Sequence, residues 1–181
     1  MILVLLRPGL EDLAGAIAGD GELAHAGDEL RGCIELVSMH FGMRQEIATD
    51  AGKSARNAGR RVLQDITLVK YLDRYSPLLY RHCLSAAPID NGSEPTRILL
   101  YGLPDANGDG GGVGEVVMTI KLFNCMISTV EAQSHPDDMA TEQLTLNYTD
   151  IHWSTVTGDD QPSGPQGFSY GWSVAGNRDL T

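Results

Sequence analysis

Three stretches of this chain repeat with a period of two. In IELVSMHF, Val37, Met39 and Phe41 alternate with Ser38 and His40. In QLTLNY, Leu144, Leu146 and Tyr148 alternate with Thr145 and Asn147, and in FSYGWSV, Phe168, Tyr170, Trp172 and Val174 alternate with Ser169, Gly171 and Ser173. Successive strand side chains point to opposite faces, so each stretch carries one apolar and one wettable side. Further strands are expected at Ile2 to Leu6, Val62 to Val69, Arg97 to Gly102, Glu115 to Ser128 and Ile151 to Thr157, set apart by Gly, Pro, Asn and Asp. Many short strands without alternating helices predict a mainly β chain, an antiparallel sandwich or barrel rather than a βαβ fold. The 181 residues suit one domain.

One segment departs from period two. In YSPLLYRHCLSAAP, Ser76 is placed to cap a helix, Pro77 suits its first turn and Pro88 stops it. Leu79, Tyr80, Cys83, Leu84, Ala86 and Ala87 share one side at helical spacing, opposite Arg81, His82 and Ser85, which predicts one short amphipathic helix flanking the β body. Leu10 to Arg31 reads either as a weak helix over Leu10 to Ala18 or as an elaborated loop, and Thr49 to Arg61 as a long mobile loop between strands.

The net charge of −11 argues against nucleic acid, whose phosphates need a basic face. MILVLL is too short for a signal-peptide core or a membrane span and reads as a first strand. Cys33, Cys83 and Cys125 are far apart, with no C-x-x-C spacing and no clustered histidines, so buried reduced thiols are expected and no zinc site.

Several motifs begin and then fail. Asp105, Asn107, Asp109 and Gly110 match the start of a calcium-binding EF-hand loop, but position twelve is Val116, and the flanks read as strands where that loop joins helices. AGKS matches the end of a phosphate-binding loop, with Ile47 where its first glycine belongs. GWSVAG has Ala175 where a nucleophile elbow needs glycine. His25, His40, His82, His135 and His152 lie on different elements, and no catalytic constellation, metal site or cofactor is expected. The sequons at Asn91 and Asn147 read as coincidental.

Four blocks in order carry a family likeness: IELVSMHFGM (Ile34 to Met43), LQDITLVKYLDRYSPLLYRHC (Leu63 to Cys83), TEQLTLNYTDIHW (Thr141 to Trp153) and YGWSVAGN (Tyr170 to Asn177). Together they resemble the Hcp family, the haemolysin-coregulated tube proteins of bacterial type VI secretion systems. The best-matched part is 33–177 of a single domain, with 10–32 as an insertion or elaborated loop that only loosely echoes the family. The resemblance implies two packed sheets forming a compact barrel-like body with a helix at its side. It also implies homohexameric rings that stack into an expelled tube, assembled in the bacterial cytoplasm and secreted without a signal peptide. The implied partners are other copies of the chain, the spike, sheath and baseplate, and small effectors in the lumen; no enzyme activity and no membrane insertion are implied.

The residues that would serve such a role are surface residues. Lys53, Arg56, Arg60 and Arg61 are expected to project from one ring face toward acidic residues of the next ring, with Asp137, Asp138, Asp159 and Asp160 as their partners. Because Val37, Met39 and Phe41 demand burial, Ser38 and His40 are expected to face the lumen, His40 toward cargo. The competing reading is a monomeric β-sandwich binding module that forms no tube.

Overall fold

The computed structural model describes residues 2–19, 30–49, 56–102, 116–134, 136, 138–155 and 167–180. Among them the order of elements is β1 (Ile2–Arg7), α1 (Glu11–Ala18), β2 (Ile34–Leu36), β3 (Ser38–His40), β4 (Met43–Thr49), β5 (Arg56–Leu63), β6 (Ile66–Tyr71), α2 (Ser76–Ser85), β7 (Thr96–Gly102), β8 (Val116–Phe123), β9 (Met126–Gln133), β10 (Thr141–Asn147), β11 (Asp150–Thr155), β12 (Ser169–Ser173) and β13 (Arg178–Asp179). Seven strands form one antiparallel sheet in the order β13-β12-β11-β8-β7-β1-β2, and four form a second in the order β3-β6-β10-β9. The strands β4 and β5 pair only with each other.

The expected mainly β fold of two packed antiparallel sheets is what the chain adopts. Both sheets keep open edges, so the body is a sandwich and not a closed barrel. Ile34, Leu36, Ile98, Ile120, Leu122, Ile151 and Trp172 of the large sheet meet Ile66, Leu68, Leu144, Leu146 and Ile127 of the small one. Each such side chain contributes roughly 1.5–3 kcal/mol of hydrophobic burial. A second, smaller cluster lies on the other side of the large sheet, where Leu5, Leu99 and Tyr101 are covered by Leu30 and Cys33. That cover explains why MILVLL and RILLYG do not alternate: a strand buried on both faces needs apolar residues on both.

Of the two readings of the N-terminal segment, the helix is present. Leu13 and Ile17, four residues apart, bury one stripe of α1 in the main core, while Glu11 and Asp12 sit at its positive end. The described residues therefore form two helices, α1 beside the one flanking helix expected at 76–87. Gly9 at the entry to α1 lies so close to the Glu94 and Pro95 backbone that any Cβ would collide.

Several boundaries differ from expectation. Val62 to Val69 is broken at Gln64 and Asp65, and Glu115 to Ser128 turns at Asn124, whose φ is 51°, to carry the chain from the large sheet to the small one. The stretch IELVSMHF also changes sheets, bending at Val37 between β2 and β3; Val37 is consequently 51% exposed instead of buried, and its amide donates to the Val69 carbonyl at 2.7 Å. Thr49 to Arg61 is not simply a loop, since most of it belongs to the β4–β5 hairpin. Phe168 and Tyr170 are exposed instead of buried, whereas Trp172 is in the core and Val174 packs against it.

The buried face of α2 is turned partway from the one its apolar residues indicate: Leu79 is buried as expected and Cys83 packs against the core, but two polar residues are buried beside them and one leucine is not. Ser76, Leu79 and His82 are buried, while Leu84 is 89% exposed. Ser76 is the first helical residue and not the cap; the Asp73 carboxylate accepts the amides of Tyr75 (2.8 Å) and Ser76 (3.2 Å), and the Ser76 hydroxyl accepts the Asp73 amide at 3.1 Å.

Candidate functional site

Polar residues on the buried side of α2 meet a buried charged cluster. Lys70 on β6 and Glu142 on β10 are neighbours in register, and both point inward beneath α2. Lys70 Nζ donates to Glu142 Oε1 at 2.7 Å and to the Tyr71 carbonyl at 2.7 Å, and it lies 3.0 Å from Asp73 Oδ2. The Ser76 hydroxyl donates to Glu142 Oε1 at 2.7 Å and the Tyr80 phenol to Oε2 at 2.6 Å. The hydrogen bond to Glu142, with some burial, pushes the Tyr80 phenol up to about 12. Buried charges are tolerated when paired and fully hydrogen-bonded. These contacts turn Ser76 and Tyr80 toward the body and leave Leu84 outside, where Pro77, Tyr80, Arg81, Leu84 and Ser85 line a shallow depression. The cluster was not singled out from the sequence, although its members stand in the two blocks KYLDRYSPLLY and TEQL; 72 residues separate Lys70 from Glu142, and spacing alone does not join them.

A second feature is the β4–β5 hairpin. Met43, Arg44, Gln45, Glu46 and Ile47 are all exposed, so over these residues neither face of β4 is covered by the described chain. Met43 (62% exposed) and Ile47 (59%) lie on the same side of the strand. The feet of the hairpin are held. Gln64 N–H donates to the Gly42 carbonyl at 2.9 Å, and the Tyr148 hydroxyl donates to the Gln64 carbonyl at 2.9 Å. Phe41 packs against Trp153 with ring centres 5.9 Å apart, and the Arg61 guanidinium lies 5.0 Å from the centre of the Trp172 ring. Trp153 in turn stacks on Tyr170 at 6.0 Å, and the Tyr170 phenol donates to Asp179 on β13. That bond to Asp179 raises the Tyr170 phenol above its ordinary value.

The third feature is the outward face of the small sheet. Register places Ser38 beside Val69, His40 beside Thr67, Gln143 beside Val69 and Glu131, and Thr145 beside Thr67 and Thr129. Ser38, His40, Thr129, Glu131 and Gln143 are exposed there, so four strands present one mostly uncharged polar surface.

The predicted surface residues are distributed as follows. Ser38 and His40 lie together on that polar sheet. Arg56 and Arg60 belong to β5, and Arg61, though exposed, is engaged by Trp172 of its own chain. Asp138 is exposed, its carboxylate accepting the Met139 amide at 2.7 Å. Lys53, Asp137, Asp159 and Asp160 lie outside the described residues, as do His25 and His135.

The failed motifs take ordinary places. The strands flanking the glycine-rich run, β7 and β8, pair antiparallel, and so do the strands flanking AGKS, while both runs themselves lie outside the described residues. Ser173 ends a strand that turns back into β13, and its hydroxyl accepts the Gly176 amide at 3.1 Å. His152 packs edge-on against Phe123 and leaves room on β12 only for Gly171. Among the described residues no group of three or more His, Cys, Asp or Glu could hold a metal ion, and no helix is long and apolar enough to cross a membrane. Cys33 and Cys125 are buried thiols and Cys83 is half-buried; burial pushes Cys33 up to about 11 and raises Cys125 further.

Solved structures share this fold. A structure of a type six secretion system protein superposes with a TM-score of 0.70 at 17% identity, covering 99% of each chain. Hcp1 from Salmonella typhimurium gives 0.63 at 17% identity, again over 99% of each chain. The Hcp1 protein from the E. coli EAEC 042 pathovar gives 0.55 at 21% identity, over 93% of this chain and 95% of that one. A comparison with curated protein sequences finds no match. The family model described as type VI secretion system effector, Hcp, matches residues 12–154, from inside α1 to β11, and with most of its length matched the chain belongs to the Hcp family of the type VI secretion system.

Proposed function

We propose that this chain is the tube subunit of a bacterial type VI secretion system. It closes into homohexameric rings, the rings stack into the inner tube that is expelled with its spike, and small effectors ride in the central hole. Sheath, spike and baseplate are its other partners, and it is secreted through the system from the cytoplasm. The role is structural, carried by surfaces and not by a catalytic group.

The observation that carries this reading is the hairpin. A two-stranded hairpin is marginal in water, and this one leaves Met43 and Ile47 exposed on an arm that no other part of the described chain covers. A neighbouring subunit supplies the missing cover, as ring closure requires an interface large enough to hold without other help. The positive charges of this segment of the chain, Lys53, Arg56 and Arg60, then meet acidic residues of the next ring, of which Asp137, Asp138, Asp159 and Asp160 are the candidates. The polar face bearing Ser38 and His40 lines the hole, where a surface without apolar patches releases cargo readily. Loss of effector retention in His40→Ala rings supports that last assignment, and unchanged retention removes it.

Native mass of the purified protein together with negative-stain electron microscopy tests the whole reading. Six-fold rings with an open centre are expected. A stable monomer at every concentration overturns it and leaves a monomeric β-sandwich binding module.

A further inference from the structure

Among the described residues the contacts that hold the hairpin to the body lie toward its base. On one side Phe41 rests on Trp153; on the other the Arg61 guanidinium rests on Trp172; and Trp153 and Trp172 stand on adjacent strands, β11 and β12, with Tyr170 stacked beside Trp153. Trp172 is itself fixed in the main core, so it cannot move to follow the arm. The backbone bond from Gln64 to Gly42 closes the base, where Leu63 packs against the main core. Arg61 is paired with Gln45, so it stands further out along the arm than Leu63 and Met43, the pair at the base. Of these tethers it acts with the longest reach.

We infer that Arg61 is a positioning residue: its planar guanidinium, seated on Trp172 of the same chain, holds the hairpin at the angle at which Met43 and Ile47 meet a second copy of this chain. This inference rests on the tube-subunit reading for its consequence, though not for the latch itself. It also takes Arg61 out of the set of charges available to a neighbouring ring. A guanidinium lies flat on an indole face in a way that an ammonium does not, so lysine should substitute only in part.

Full-length Arg61→Ala and Arg61→Lys are compared with wild type by amide hydrogen exchange over 43–49 and 56–63, by native mass across a concentration series and by chemical denaturation. An exposed cation–π pair corresponds to about two- to fivefold in an equilibrium. Hairpin amides in Arg61→Ala are expected to exchange about that much faster, with β6 and β10 keeping their protection. Rings should form only at higher concentration, and Arg61→Lys should fall between. Wild-type exchange of the hairpin in Arg61→Ala overturns the latch. Should Arg61→Ala not fold, Arg61→Lys decides by the same exchange measurement. Met43→Asp with Ile47→Asp separates the two ideas: if this variant still forms rings, the hairpin interface is wrong while the latch stands or falls on exchange alone. If it abolishes rings and Arg61→Ala changes neither exchange nor assembly, the latch is wrong and the interface stands.

Discussion

Lys70 Nζ and Glu142 Oε1 lie 2.7 Å apart, each on an almost fully buried side chain, and the helix α2 is attached to the sandwich through the same carboxylate. Removing one partner leaves the other charge buried without compensation. Lys70→Met and Glu142→Leu are each expected to cost about 3–5 kcal/mol in chemical denaturation, whereas the double variant should recover most of that loss. Losses that simply add would show that the two charges do not interact.

Tyr80 donates to the same carboxylate, and its phenol is held at about 12 in the fold against 10.0 in the unfolded chain. Between about pH 10 and 12 the unfolded chain releases this proton while the folded chain keeps it, so the contribution of Tyr80 to stability is complete below pH 10 and lost as pH rises through that window. Tyr80→Phe should therefore be less stable than wild type at pH 7, by about 1.5 kcal/mol or more for a bond to a charged acceptor. The gap should close toward pH 12. A gap that is constant with pH counts against the Tyr80–Glu142 bond.

Thiol chemistry reads out the burial pattern directly. Cys83 is half-buried on α2, while Cys33 and Cys125 are buried and their thiols raised. A disulfide reagent at pH 8 should modify one thiol of three in the native protein, and all three after denaturation. Rapid native reaction of two or more would mean that the cover over Leu5 and Cys33, or the turn at Cys125, is not as described.

Gly9 tests the docking of α1. A methyl group there meets the Glu94 carbonyl, which is backbone and cannot swing aside. Gly9→Ala should cost about 1–3 kcal/mol by overpacking. An unchanged denaturation midpoint would show that the 94–95 segment yields freely.

Most of the strands, and the inner faces of both sheets, are legible in the order of the residues alone. Where one face of a strand is buried and one is wet, as in Leu144 to Tyr148, the alternation is a direct imprint of the environment. The same letters carry the family likeness, and KYLDRYSPLLY and TEQL hold the members of one buried cluster. The sequence did not reveal the hairpin, since an arm with no buried face has no apolar period to show; nor Val37, whose exposure comes from a bend between sheets; nor the buried face of α2. On that helix, Leu84 and His82 were assigned by hydrophobicity, but the orientation follows from Ser76 and Tyr80 reaching a carboxylate far along the chain. Local pattern reports which residues avoid water. Which buried charge each polar residue reaches depends on how β10 and α2 pack, and across 66 and 62 residues the bonds of Ser76 and Tyr80 to Glu142 outweigh the preference of one exposed leucine.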